Sequence, residues 1–221
     1  MKVEHSRLDF DRRLRLGMVE AIWGEHKTTE QIAKILEKFK NASEFALVTR
    51  LTTKKAKELI EKFDSAQFHS QARCLTLGTP AAINSKLGEV VVLAAGTSDL
   101  SVAAETELAL NIHGIKTKLL MDVGVAGLHR LLNQLERIKQ AKVVVACAGM
   151  EGALPTVLAG LIPQPVIGVP VSVGYGVSIG GRTCLEGMLA SCSPGLVVVN
   201  IDNGYGAAMA ALRIIYSNKD H

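Results

Sequence analysis

The residues able to do chemistry recur at intervals along the second half of this chain. Asp99, Asp122, Glu151 and Asp202 each lie at or just past the end of an apolar run. The turns around them are rich in glycine: Gly96-Thr97-Ser98-Asp99, DVGVAGLHR at Asp122–Arg130, AGMEGALP at Ala148–Pro155, VGYGVSIGG at Val173–Gly181 and DNGYG at Asp202–Gly206. Such turns bring backbone N–H groups close to a ligand and suit an anion such as phosphate. Carboxylates beside a phosphate cradle repel the anion and raise one another's pKa. Their gathering therefore asks for a further task, such as moving a proton or holding a metal ion. Asp99 poses the question most sharply. Inside its own turn it is either a structural cap or a contact for a hydroxyl, a metal or a proton.

Two further residue types add to this set. Arg130, beside His129 near the start of a predicted helix, has the forked geometry that grips a phosphate. Of the four cysteines, Cys74 and Cys147 fall in apolar strands and read as core. Cys184 and Cys192 are eight residues apart and can share one side of a helix. Cys192 lies in ASCSPG, where that helix should stop. A helix C-terminus disfavours a thiolate, so nucleophilic chemistry at Cys192 needs a nearby cation. His5, His26, His69, His113 and His221 show no metal-ligand spacing. Trp23, the single tryptophan, reads as a core anchor. Gly174-x-Gly176 resembles a dinucleotide fingerprint, but its third glycine is misplaced and no acid follows about 20 residues later, which argues against a nicotinamide Rossmann site.

The elements that must position these groups follow from periodicity. From residue 86 onward, strands are expected at Val90–Ala95, Lys116–Asp122, Lys142–Ala148, Val166–Val171 and Leu196–Ile201. Helices are expected near Leu100–Ile112, Leu128–Ile138, Ala153–Leu161, Arg182–Ala190 and Tyr205–Tyr216. Ser98 is the expected N-cap of the first helix and Gly114 its C-cap glycine. This alternation predicts an α/β, doubly wound parallel sheet, with ligands beyond the carboxyl ends of its strands. The four acids would then share one rim. Residues 1–85 form a smaller α/β region, with helices expected over Leu8–Trp23, Thr28–Lys40 and Thr53–Phe63. Strands are expected there at Ala46–Leu51 and Ala72–Leu77. Thr28 and Gln31 have capping-box spacing, and Gly78–Lys86 reads as a linker joining a 1–85 region to an 86–221 domain.

Composition narrows the class. The 221 residues are 48% hydrophobic but only 4% aromatic, which suits a Val/Leu/Ile/Ala-built sheet covered by helices. No apolar run reaches about 18 residues, so no membrane span is expected. The start, MKVEHSRLDFDRR, lacks the apolar stretch of a signal peptide. Reduced thiols and a cytoplasmic location are the expectation. Residues 1–85 carry fifteen Lys and Arg against eleven Asp and Glu, and the remainder is balanced. That excess is too dilute for a nucleic-acid surface.

The order GTSD, DVGVAG-HR, AGMEGALP, VIGVPVSVGYG and VVNIDNGYGAA resembles the LarB family. That family comprises the pyridinium biscarboxylic acid mononucleotide synthases of nickel-pincer cofactor biosynthesis. RLGMVEAIWGEHKTTEQI and LVTRLT extend the resemblance into the first region. The second part is similar to the PurE carboxylase fold, a flavodoxin-like sheet. Ala153 stands where PurE enzymes have a catalytic histidine, a departure that argues against purine synthesis. The resemblance implies carboxylation of nicotinic acid adenine dinucleotide by carbon dioxide, followed by hydrolysis to AMP, in a homo-octamer using magnesium. It implies Cys192 of the Ser191-Cys192 motif as covalent nucleophile, with Glu151 or Asp99 as base. Substrate contacts are expected from Gly96, Thr97, Ser98, Asp99, Gly124, Val125, Ala126, Gly127, His129 and Arg130. Others are expected from Gly149, Met150, Gly152, Tyr175 and Gly176. One of Asp99, Asp122, Glu151 and Asp202 would hold the metal. The alternatives are an aminoimidazole ribonucleotide carboxylase or mutase and a nucleotide-binding regulatory module without turnover.

Overall fold

A computed structural model describes residues 8–217, which form two compact units dividing after Ala81. His5 and His221 lie outside the described residues. Among the described residues, no helix is long and apolar enough to cross a membrane.

The first unit contains α1 (Arg12–Leu16), β1 (Ala21–Trp23), α2 (Thr29–Asn41), β2 (Ala46–Thr49), α3 (Thr53–Ile60), β3 (Ala66–His69) and β4 (Cys74–Leu77). Its sheet has the order β1-β2-β4-β3, with β1 parallel to β2 and the other pairs antiparallel. The capping box at α2 forms as its sequence demands: Thr28 accepts from the Gln31 N–H, and Gln31 accepts from the Thr28 N–H. Ile32, Leu36 and Phe39 of α2, with Ala56 and Leu59 of α3, pack on Ala46, Val48, Leu75 and Leu77. The helix expected over Leu8–Trp23 is corrected. Gly17 takes a left-handed conformation (φ +69°) and stops α1 after five residues, and Ala21–Trp23 then pairs with β2. Trp23 is also corrected: it ends β1 and is 48% exposed, while its neighbour Ile22 enters the core.

The second unit contains β5 (Glu89–Ala94), α4 (Leu100–Asn111), β6 (Lys116–Leu120), α5 (Leu128–Leu132), α6 (Leu135–Ile138) and β7 (Val143–Ala148). It continues with α7 (Ala153–Ala159), β8 (Val166–Pro170), α8 (Arg182–Leu189), β9 (Val197–Val198) and α9 (Gly204–Ser217). All five strands are parallel, in the order β6-β5-β7-β8-β9. This is the flavodoxin-like 2-1-3-4-5 order, and its switch point falls between β5 and β7. Buried on both faces, the central strands read as unbroken apolar runs. On one face Val91, Leu93, Val144 and Ala146 pack against Leu131, Leu154, Leu158, Cys184 and Met188. α4 packs on α9, where Glu105 accepts the Tyr205 N–H and Thr106 donates to the Gly204 carbonyl.

Three local expectations are corrected. The helix over Leu128–Ile138 is two helices, because Gln134 bonds back three residues to Leu131 and breaks the ladder. β9 is only two residues long, and the chain turns through Asp202 at φ +54°. The N-cap of α4 is Asp99, not Ser98. Gly96 is the N-cap of a 3-10 turn over Thr97–Asp99 that leads into α4. Gly114 does close α4: it has φ +80°, and the next residue, Ile115, donates to the Leu110 carbonyl.

Candidate active site

Four strand ends converge on one pocket of about 420 Å³. β5 supplies Ala95, Gly96, Ser98 and Asp99, and the turn after β6 supplies Gly124, Val125 and Ala126. The turn after β7 supplies Ala148, Gly149, Met150 and Glu151, followed by Ala153 and Leu154 of α7. Val173, Gly174 and Tyr175 come from the segment after β8. This is the carboxyl edge of the sheet at its switch point, where α/β sheets bind ligands.

Asp99 forms the buried acid of this pocket, with 4% exposure. Its Oδ2 accepts the Gly96 N–H at 2.8 Å, so the carboxyl is anchored inside its own turn. Burial raises its pKa above the ordinary 3.8. The N–H groups of Gly96 and Gly149 oppose that rise, and the nearby charge of Asp202 adds to it. The two alternatives for Asp99 thus meet in one residue: it caps its turn and presents a carboxyl with a raised proton affinity.

The turn after β7 is held by close backbone approach. A Cβ on Gly149 would lie 2.3 Å from the Val173 carbonyl oxygen, so only glycine fits there. Met150 follows at φ +55°, an uncommon conformation for a side-chain-bearing residue. Glu151 follows it, exposed at the pocket rim.

The four strand-end acids occupy unlike environments. Asp99 and Glu151 line the pocket. Asp122, at φ +58°, forms an ion pair with Arg130. Asp202 accepts the Ser172 N–H at 2.8 Å. Among the described residues, no group of three or more His, Cys, Asp or Glu side chains is placed to hold a metal ion. Asp99 and Glu151 are the carboxylates in the pocket lining, and either offers one oxygen ligand to a magnesium ion, whose other positions are commonly filled by water and phosphate.

Of the other expected contacts, Gly96, Ser98, Gly124, Val125, Ala126, Gly149, Met150 and Tyr175 line the pocket. Thr97, Gly127, His129, Arg130, Gly152 and Gly176 do not. Gly152 backs it instead: at φ +69° it packs on Cys184, whose Sγ is 2.7 Å from where a Cβ would stand. Sequence reasoning missed Ala95, Ala148, Leu154, Val173 and Gly174, whose side chains carry no reactive group. Their position in or beside the segments that follow the strand ends was the available signal.

The cysteines separate by environment. Cys147 and Cys184 are fully buried, and burial pushes both thiols up, Cys184 to about 11. Cys184 donates to the Ala148 carbonyl at 2.9 Å. Cys192 alone is exposed. It lies outside the pocket lining, on the loop from α8 back to β9. Its neighbours are anchored to α7. The Thr156 hydroxyl donates to Ser191 Oγ, and Ser193 Oγ donates to the Thr156 carbonyl, each at 2.9 Å.

Residues 1–79 match a LarB/PurE-like N-terminal domain, and residues 89–221 match an AIR carboxylase domain. An uncharacterized protein of Methanocaldococcus jannaschii is 40% identical over 215 residues, 94% of this chain and 83% of its own. The N5-carboxyaminoimidazole ribonucleotide mutase of the same organism is 33% identical over 133 residues, 57% of this chain and 78% of its own. The crystal structure of Treponema denticola PurE covers 60% of this chain and 82% of its own, at 22% identity and a TM-score of 0.48. That of a singly substituted PurE2 from the same organism covers 60% and 81%, at 23% and 0.47.

Proposed function

The chain belongs to the LarB family, its LarB/PurE-like N-terminal domain followed by a PurE-like AIR carboxylase domain, and from that premise we propose a specific reaction for it. The protein converts nicotinic acid adenine dinucleotide, carbon dioxide and water to a pyridinium biscarboxylic acid mononucleotide and AMP. The observation that carries this reading is the Asp99-bearing pocket at the carboxyl edge of a parallel sheet, in a domain whose one exposed cysteine is braced through serines on both sides. The pocket lining contains no histidine, and Ala153 occupies the first position of α7 at its wall.

The chemistry assigns each group a task. The Cys192 thiolate adds para to the cationic ring nitrogen, giving a dihydropyridine whose free meta carbon is nucleophilic. That carbon attacks carbon dioxide. Asp99 takes the proton from the same carbon, and the thiolate leaves with its electron pair as aromaticity returns. The raised proton affinity of Asp99 suits a base that must hold that proton and then release it. Cysteine suits the task because it both adds and leaves. The substrate's own positive charge supplies the cation that favours the thiolate.

Backbone N–H groups of the Gly96–Ser98 and Gly124–Ala126 turns hold the phosphates. Glu151, exposed at the rim, would hold a magnesium ion together with the substrate phosphates. When bound, that ion polarises the phosphoanhydride toward hydrolysis. Cys192 lies outside this lining within a single chain, so the reading requires a neighbouring copy of the chain in an oligomer to bring its Cys192 to the pocket.

Incubation with nicotinic acid adenine dinucleotide, bicarbonate and magnesium, followed by mass spectrometry, tests the reaction. AMP together with a doubly carboxylated mononucleotide is expected. Their absence with folded protein rejects the reading. Mixing inactive Cys192→Ser with inactive Asp99→Asn protein and reassembling the oligomer tests the donated thiol. Recovered turnover is expected, and no recovery rejects donation between copies.

The similarity to the N5-carboxyaminoimidazole ribonucleotide mutase favours a second reading, turnover of that ribonucleotide. It requires a proton-transfer histidine where Ala153 stands. Consumption of N5-carboxyaminoimidazole ribonucleotide by this protein would establish it.

A further inference from the structure

We propose that the N-terminal unit carries a second binding site, for a phosphorylated purine nucleoside, on the edge formed by Trp23, His26, Arg50 and Arg73. The carboxyl ends of the parallel strands β1 and β2 meet there, with Trp23 in register with Thr49 and Arg50 next in the chain. The only tryptophan of the protein is half-exposed at this edge. The His26 ring meets it edge-on, with centroids 4.8 Å apart. An aromatic plane open to solvent beside cations is the pattern on which nucleobases stack.

The loop that displays these rings is tied down. The Lys55 ammonium donates to the carbonyls of Gly24, Glu25 and Lys27 at 3.0, 2.8 and 2.7 Å. Gly24 N–H bonds the Thr49 carbonyl at 2.9 Å, and the Lys27 ammonium bonds the Trp23 carbonyl at 3.0 Å. A loop fixed in this way loses little further freedom when a ligand docks.

The cations are placed with similar constraint. Arg50 and Arg73 both have left-handed backbones, at φ +56° and +51°. Arginine adopts this conformation only at an energetic cost, and such strain collects at functional positions. The two are neighbours: the Leu51 N–H donates to the Arg73 carbonyl at 2.7 Å, and Arg73 Nε donates to the Leu51 carbonyl at 3.5 Å. Arg50 directly follows Thr49, the register partner of Trp23, and Arg73 adjoins Leu51, so both arginines stem from backbone next to the ends of β1 and β2. Glu25 faces Arg50 at 3.5 Å. With Lys27, Lys55, Arg50 and Arg73 set against that carboxylate, the edge is net positive. A stacking plane with forked cations beside it matches a nucleobase joined to a phosphate.

The choice of AMP as probe rests on the proposed reaction, which releases it. Because Trp23 is the only tryptophan, its emission reports on this edge in the full-length protein. Titration with AMP is expected to give a saturable change in Trp23 fluorescence. Adenosine and inorganic phosphate, each holding half of the ligand, are expected to bind at least tenfold more weakly. Arg50→Gln/Arg73→Gln is expected to weaken AMP at least tenfold while retaining the wild-type circular dichroism. If that variant does not fold, calorimetry on Trp23→Leu replaces it, and loss of the AMP-binding step that coincides with the wild-type fluorescence change is expected. No fluorescence response to AMP, or undiminished AMP affinity in a folded variant, overturns the site. Turnover without a fluorescence response rejects this site alone, whereas a response without turnover rejects the reaction alone.

Discussion

Thr156 holds Ser193 from across thirty-seven residues: the Ser193 hydroxyl donates to the Thr156 carbonyl at 2.9 Å. The Thr156 hydroxyl also donates to Ser191, so one residue of α7 fixes both neighbours of Cys192. The thiol between them is exposed, whereas Cys74, Cys147 and Cys184 are buried. This separates one solvent-exposed cysteine from three that are used for packing.

Cys192→Ser is therefore expected to abolish formation of the carboxylated product, while Cys184→Ser retains it. Mass spectrometry of the reaction mixture distinguishes the two. Equal activity of the wild type and Cys192→Ser rejects the covalent route. Thr156→Val removes the hydroxyl donor to Ser191, and a fall in turnover of about tenfold is expected from loosened positioning.

The buried Asp99 carboxyl gives predictions of opposite sign for stability and for the proposed activity. Its folded pKa lies above the ordinary value because burial disfavours the charge. Its contribution to stability is fully present below the unfolded pKa and is lost as pH rises through the folded one. Asp99→Asn keeps an acceptor for the Gly96 N–H, gives up the second carboxylate oxygen near the Gly149 N–H, and removes the buried charge. The variant is expected to melt at or above the wild-type temperature at pH 7, with the difference vanishing below about pH 4. It is also expected to lose turnover. Scanning calorimetry across pH checks this, and a variant less stable than wild type at pH 7 contradicts it.

What was legible in the sequence divides along physical lines. Val90–Ala94 and Val143–Ala148 are buried on both faces, so their apolar runs announce parallel strands. Thr28 and Gln31 cap α2 through a contact three residues long, which spacing alone reveals. β1 and β3 are too short for periodicity to register, and Ala66–His69 is only partly buried or exposed throughout. Trp23 misled because a large apolar ring is ordinarily core, yet strand alternation turns it away from Ile22. At the site, the acids and glycine turns were visible, but their sorting was not. Asp122 reaches Arg130 and Asp202 reaches Ser172 through the folded arrangement of the strand ends. The bracing of Cys192 spans more than thirty residues and leaves no local trace.

Backbone approach at the pocket gives a stability prediction. A methyl group on Gly149 would meet the Val173 carbonyl at 2.3 Å, and two backbone segments would have to separate. Gly149→Ala is expected to cost about 1–3 kcal/mol and to displace the turn bearing Glu151. Gly160 has a helical backbone, and its nearest Cβ neighbour would be at 3.5 Å, so Gly160→Ala is expected to change stability by less than about 0.5 kcal/mol. Urea denaturation midpoints of the two variants check the contrast, and equal midpoints would refute it.

The metal prediction separates the two halves of the proposed reaction. Glu151 is exposed at the rim while Asp99 is buried below it, so the two carboxylates suit different tasks. A carboxylate open to solvent suits a magnesium ion that keeps several waters and takes phosphate oxygens. Chelation with excess EDTA is therefore expected to stop AMP release, and added magnesium to restore it. Glu151→Gln is expected to raise the magnesium concentration for half-maximal AMP release by about tenfold, through loss of a charged oxygen ligand. Asp99→Asn blocks the preceding proton transfer instead, so excess magnesium does not rescue it. Chromatographic measurement of AMP against magnesium concentration checks all three variants of the experiment. AMP release unaffected by EDTA, or an unchanged magnesium requirement in Glu151→Gln, removes Glu151 from the metal's coordination.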